Sequence, residues 1–265
     1  MPESTLALTI DNLRSEAALV MGYNSTYASC TSAQQGEIDR AVSSGYRQFL
    51  YPPQAPDPED PRRLVTHQWS FLKVVSATLS VVSPTTTYVL PDTFGHIIGH
   101  DMTIEAGAEL YSPIEVTGEA ELRRLRQTES DTVGVPRYVA IRPKAFTGAT
   151  TGERFEAIFW PIPDASRTVT YSYAPIANAM VTSTSPYPWG GAAHAETLKA
   201  SVRAEAELVR FRVRAVEWQR FMERLVASIK EDRSHGARIL GQNSDESDGV
   251  PSVQRRYGYT VTPPS

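Results

Sequence analysis

The sequence predicts an α+β fold with three parts: a helical bundle built from the N- and C-terminal helices, an inserted antiparallel β-rich domain, and an extended C-terminal tail. Apolar residues recur at helical spacing near both ends of the chain, and short β-prone segments separated by turn residues fill the middle. After the last helix, glycine, proline and polar residues interrupt both patterns. We therefore assign residues 1–53 and 188–235 to the helical bundle, 64–175 to the β-rich domain with one short helix, and 236–265 to the C-terminal arm.

Two helices are predicted before the β-rich domain. The first covers residues 9–21 and is followed by Gly22, a residue type that commonly closes helices. The second begins at Ser32, whose spacing to Gln35 fits a capping box, and it stops before Pro52. Both segments carry apolar side chains on one face, so we expect the two helices to pack as an antiparallel pair.

The middle of the chain is predicted to be an antiparallel sheet or sandwich. It follows residues 51–63, which contain five prolines and are expected to form an extended connector. One short helix is predicted at residues 118–127, with Thr117 as its N-cap. The predicted strands are rich in Val, Ile, Tyr and Phe and are separated by turn residues: 67–72, 74–82, 86–90, 96–104, 137–142, 154–160 and 168–173.

The helical pattern returns near residue 192 and continues to about residue 233. Residues 213–216 contain no strong helix breaker, so the sequence leaves open whether this region is one bent helix or two. The helices at the two ends of the chain are expected to pack together.

The overall composition excludes some classes of function. The net charge of −4 and a pI near 5.8 give no basis for wrapping nucleic acid. No apolar stretch approaches the ~20 residues that a membrane helix needs, and the N-terminus lacks the pattern of a secretion signal. These features indicate a protein that is made and folded in a cytosol and has no membrane partner.

No catalytic residue, metal ligand or cofactor is predicted. Cys30 is the only cysteine, and no motif typical of a nucleophile surrounds it. His96 and His100 are four residues apart, but they lie in a predicted strand and turn with Gly99 between them, which favours a structural role. We therefore predict that the protein is not an enzyme.

The C-terminal arm allows two interpretations. A frayed terminus is one of them. The other is a binding segment, because solvated tails are usually poor in aromatic residues, whereas Tyr and Arg are enriched at interfaces. The residues that favour binding are two arginines followed by three residues at strand spacing: Arg255, Arg256, Tyr257, Tyr259 and Val261.

A series of short motifs runs along almost the whole chain. The motifs, with their residues, are QxEIxxAVxxGxxxFLYPP (35–53), HQWSFL (67–72), YVLPDxFG (88–95), GVPRYVAIRP (134–143), GxRFEAIFWPIPD (152–164), TYSY (170–173), AETLKA (195–200), AEAE (204–207), IxxDRS (229–234) and LGQNSD (240–245). Their order resembles that of head–tail adaptor proteins, or head-completion connectors, of tailed bacteriophages. These proteins form a ring beneath the portal.

The resemblance implies a structural virion protein. Many copies would form a dodecameric ring in the virion neck, after synthesis in the host bacterial cytoplasm. The C-terminal arm would bind the portal protein through Arg255, Arg256, Tyr257, Tyr259 and Val261. The opposite face would receive tail, nozzle or tail-tube proteins, and DNA would pass through the lumen without specific binding. The β-rich domain is longer than in the simplest helical members of the family, so its contacts stay open.

Two alternatives remain from the sequence. The protein could be a stopper or tail-terminator ring, which is also a virion component but occupies a different position in the particle. It could also be a carbohydrate-binding or cell-wall-degrading virion component, in which Trp69, Trp160 and Trp189 stack on sugar rings. For Trp69 and Trp160 the favoured interpretation is that they belong to the core of the sheet.

Overall fold

The protein has an α+β fold, as predicted. A computed structural model describes residues 4, 6–99, 101–104, 112–129, 132–146, 148, 152, 154–180 and 187–235. The α-helices within these residues are α1 (Ile10–Met21), α2 (Ser32–Leu50), α3 (Glu119–Thr128), α4 (Ala195–Phe211) and α5 (Val216–His235). The strands are β1 (Ala55–Pro56), β2 (Leu64–Val65), β3 (Val74–Val81), β4 (Thr87–Val89), β5 (Phe94–Ile97), β6 (Asp101–Ile104), β7 (Ile114–Thr117), β8 (Val133–Gly134), β9 (Tyr138–Pro143), β10 (Phe155–Trp160), β11 (Ile162–Pro163) and β12 (Arg167–Pro175).

Local capping explains where the first two helices begin and end. Thr9 caps α1 through a capping box, and Gly22 closes the helix with a left-handed φ of 73°. In α2 the capping box lies one residue earlier than predicted. Thr31 is the cap and pairs with Gln34, because Ser32 is already the first helical residue. The two helices contact each other through Arg14 Nε and Asp39 Oδ1, at 2.8 Å.

The C-terminal helical region is two helices. The chain leaves α4 at Arg212, which adopts a left-handed φ of 60° although it is not glycine. The Glu207 side chain then accepts a hydrogen bond from the backbone N–H of Ala215 at 2.9 Å, immediately before α5. This side-chain contact satisfies a backbone donor at the start of α5, so the break requires no Gly or Pro.

Helices α1, α2, α4 and α5 share one buried cluster. Helices α2 and α4 pack closely, since a Cβ on Gly45 would lie 2.5 Å from the Cα atom of Val202. Ser201 Oγ donates to the carbonyl oxygen of Gly45 at 2.8 Å in the same contact. None of the helices in the described part of the chain has the length and apolar composition needed to cross a membrane.

The main sheet has eight strands and is mixed. Seven of them follow the order β3-β12-β6-β7-β9-β10-β4, and β5 pairs with β12. The prediction of a wholly antiparallel sheet is wrong for β7 and β9, which run parallel; β8 and β11 form a second parallel pair outside the main sheet. One face of the main sheet surrounds its own buried cluster, which includes Phe94, Phe159 and Tyr171. On the other face, Leu122 of α3 packs against Trp160.

Several predicted elements need correction. Residues 67–72 are irregular and not a strand, because Trp69 is buried in the helical cluster and its Nε1–H donates to the carbonyl oxygen of Phe49 at 2.7 Å. The predicted strand at 96–104 is interrupted at Gly99, where φ is 97°. Thr117 lies in β7 and does not cap α3; the N-cap is Gly118, without a side-chain bond. The proline-rich connector turns back on itself, because β1 pairs with β2.

Candidate functional site

The predicted portal-binding residues lie outside the residues that the structure describes: Arg255, Arg256, Tyr257, Tyr259 and Val261. The described part of the chain does contain the place where the arm starts, since α5 ends at His235. Three features surround this place or lie on the same group of helices. They are a buried polar network at the end of α5, a pocket next to it, and an exposed apolar surface at the turn between α4 and α5.

The polar network centres on Asp232, in the last turn of α5. One carboxylate oxygen accepts hydrogen bonds from the Ser70 backbone N–H at 3.1 Å and contacts His67 Nε2 at 2.8 Å. The other accepts from Ser70 Oγ at 2.6 Å. Asp232 is only 5% exposed, so these contacts replace the water that would solvate the carboxylate. We call His67, Ser70 and Asp232 the α5 clamp.

The protonation states in the α5 clamp follow from burial and hydrogen bonding. Burial raises the pKa of Asp232, but the hydrogen bonds from Ser70 and His67 outweigh it, and the pKa lies below its ordinary value. Burial, together with the nearby charge of Arg233, lowers the pKa of His67 by more than the contact with Asp232 raises it. At neutral pH the pair is therefore a carboxylate that accepts from a neutral imidazole.

The α5 clamp lacks the order that nucleophilic catalysis uses. In a catalytic triad the imidazole lies between the hydroxyl and the carboxylate. Here the carboxylate of Asp232 lies between Ser70 and His67, and the Ser70 hydroxyl donates to it. A second contact attaches the same helix end, since Arg233 Nη1 lies 3.0 Å from Asp57 Oδ1. Together these contacts hold the C-terminal end of α5 against the segments before and after β2.

A pocket of about 380 Å³ lies next to the α5 clamp, between the helical cluster and the sheet. Its walls are mainly apolar, with two histidines and a glutamine as polar groups. His67 belongs both to the clamp and to the pocket wall. The lining residues are Leu50, Tyr51, Pro52, His67, Gln68, Leu72, Gly95, His96, Ala174, Pro175 and Ile176. We call this the junction pocket.

The two histidines of the junction pocket are not arranged as metal ligands. His96 Nε2 lies 2.9 Å from Gln68 Nε2, while His67 is engaged with Asp232. His100, which the sequence places near His96, lies outside the described residues. Among the residues described, no three His, Cys, Asp or Glu side chains form a group that could hold a metal ion.

The other side chains considered for chemistry are mostly buried. Cys30 is buried, and its thiol points to the carbonyl oxygen of Asn24 at 3.4 Å. Trp69 belongs to the helical cluster, so its assignment to the sheet core is wrong; Trp160 packs against α3 on the sheet. Trp189 is 37% exposed. Two of the three indoles that were considered for sugar stacking are therefore covered by the protein itself.

An exposed apolar surface lies at the turn between α4 and α5. Phe211, Val213 and Val216 are each more than half exposed, at 57%, 51% and 55%. We call them the hairpin-tip surface. This surface was not predicted from the sequence. Its signal is that Phe211 and Val213 alternate with Arg212 and Arg214, because a helix would bury only part of such a run. Clustered apolar exposure of this kind marks interaction sites.

Comparisons of the sequence with models of known protein families and with curated proteins found no match. The observations that bear on function are therefore the order of motifs in the sequence and three structural features. These features are the α5 clamp, the junction pocket and the hairpin-tip surface.

Proposed function

We propose that this chain is a head–tail adaptor of a tailed bacteriophage. It forms a dodecameric ring that docks on the portal protein and connects the capsid to the tail, and DNA passes through its lumen. The observation that carries the proposal is the order of motifs between residues 35 and 245, which resembles that family along nearly the whole chain. The net charge of −4 supports it, because an acidic protein does not grip the phosphates of passing DNA.

In this proposal the helices form the ring-building bundle, and the β-rich region is an insert between α2 and α4. Two separate buried clusters support that division, one among the helices and one inside the sheet. A closed ring needs two different faces of each copy to meet. The hairpin-tip surface supplies exposed apolar area for one of these faces, on the helical part.

The C-terminal arm is the portal-binding element in this proposal. The α5 clamp supports the role, because a helix end held at His67 and Ser70 gives the arm a fixed origin. A segment that orders on binding loses conformational entropy. Many copies on one ring offset this loss through avidity, since each bound arm raises the effective concentration of the next.

Substitution within the arm tests this role. We expect simultaneous replacement of Arg255, Arg256, Tyr257 and Tyr259 by alanine to abolish co-sedimentation with purified rings of the cognate portal protein. A matched control replaces Ser244, Ser247, Ser252 and Thr262 of the same arm and keeps binding. Deletion of residues 243–265 is expected to abolish binding while the circular dichroism spectrum and melting temperature of the body stay unchanged. Normal binding by the truncated protein would contradict the proposed role of the arm.

A further inference from the structure

The end of α5 lies beside the junction pocket. His67 contacts Asp232 at 2.8 Å and also lines the pocket. From Asp232 to His235 the helix advances by only about 4.5 Å along its axis. The chain that continues beyond α5 therefore starts next to the pocket wall.

The pocket has the character of a site for apolar side chains. Leu50, Leu72 and Pro175 are among its lining residues, and Ile176 is 53% exposed. Exposed apolar area of this kind is stabilised when another apolar group covers it. The hydroxyl of Tyr51 accepts from the Ala177 N–H at 3.1 Å, which fixes the aromatic ring at the pocket wall.

The chain beyond α5 supplies a matching pair of side chains at a short distance. Ile239 and Leu240 are adjacent, and the residues from 241 to 249 are glycine or polar. Ile239 and Leu240 follow His235 by four and five residues, which corresponds to at most roughly 13–18 Å of extended chain. Apolar residues farther along the arm close a longer loop and lose more entropy when they dock.

We propose that Ile239 and Leu240 occupy the junction pocket of their own chain. The first residues of the C-terminal segment are then part of the folded body, and the free arm begins after Gly241. The proposal goes beyond the portal-binding role and does not depend on it, because it concerns only how the chain continues from α5.

Disulfide trapping tests the docking. In a Cys30→Ser background, Leu240→Cys is combined with Ile176→Cys at the pocket rim. We expect an intrachain disulfide under mild oxidation, seen as a mobility shift without reductant. It should form roughly tenfold faster than in the control that pairs Val250→Cys with Ile176→Cys, because docking raises the effective concentration of the two thiols. Equal rates in the two pairs would overturn the proposal, and so would a disulfide that forms only between chains.

Two deletions give an independent readout. Removing residues 243–265 leaves Ile239 and Leu240 in place and is expected to leave the melting temperature unchanged. Removing residues 236–265 is expected to lower it by about 3 °C or more, because the apolar pair no longer covers the pocket. The variant Ile239→Asp with Leu240→Asp in the full chain should reproduce that loss. Identical melting temperatures for all of these proteins would overturn the proposal, while leaving the result of portal co-sedimentation unaffected.

Discussion

Replacement of Asp232 by alanine is the sharpest perturbation of the α5 clamp. The carboxylate is 5% exposed and takes part in three contacts, with Ser70 Oγ at 2.6 Å, Ser70 N at 3.1 Å and His67 Nε2 at 2.8 Å. Hydrogen bonds to a charged group contribute about 1.5–3 kcal/mol each, but they are not additive. Without the carboxylate, the Ser70 N–H, the Ser70 hydroxyl and the neutral His67 ring lose their shared acceptor, and together these losses cost about 3–5 kcal/mol. We expect Asp232→Ala to lower the free energy of unfolding by that amount.

Urea denaturation followed by circular dichroism measures this loss, and thermal unfolding should show a melting temperature lower by roughly 10 °C. Asp232→Asn keeps the shape and one good acceptor, so its loss should be smaller. Lys230→Ala, an exposed site on the same helix, is the matched control and should change stability by no more than about 0.5 kcal/mol. A loss below about 1 kcal/mol for Asp232→Ala would refute the reasoning that the clamp holds α5.

Three further predictions follow from single sites. Gly45→Ala should lower the free energy of unfolding by about 1–3 kcal/mol, because its Cβ would lie 2.5 Å from the Cα of Val202. Gly36→Ala is the control, because a Cβ at Gly36 would meet nothing within 4 Å, and it should raise the free energy of unfolding by about 0.5–1 kcal/mol. Equal effects of the two substitutions in urea titrations would contradict the close packing of α2 on α4. Burial lowers the pKa of His67 in the folded protein below its ordinary value of 6.5. The neutral imidazole therefore contributes its full stabilisation above pH 6.5, and this stabilisation is lost as the pH falls through the lowered pKa of the folded protein. Urea titrations at successively lower pH should show that the free energy of unfolding falls less for His67→Gln than for the unmodified protein. Phe211→Ser should leave the melting temperature nearly unchanged but weaken ring formation on the portal; unchanged assembly would remove the hairpin-tip surface from the interface.

Helix positions were predictable because their determinants are local in sequence. Thr9 and Gly22 bracket α1 through contacts within a few residues, and the apolar spacing of α2 is visible directly. The break between α4 and α5 was left open by the sequence. It depends on the hydrogen bond that the Ala215 N–H donates to the Glu207 side chain, and no helix-breaking residue in the sequence marks this position.

The sheet and the clamp depend on residues that are far apart in the chain. Trp69 looked like a strand residue, but its partners are Phe49 and the helical cluster, so tertiary contacts outweighed the β-propensity of its segment. The parallel pairing of β7 with β9 likewise has no local signal. The α5 clamp joins His67 to Asp232 across 165 residues, and periodicity shows only that Asp232 lies near a helix end.

The position of the protein in the particle tests the central proposal most directly. Purified virions that carry an affinity tag on this chain can be labelled with a gold-conjugated antibody and imaged by electron microscopy. We predict label at the neck, between capsid and tail, and averaged images with a dodecameric ring in contact with the portal. Label at the tail tip, along the tail or on the capsid surface would contradict the assignment as a head–tail adaptor.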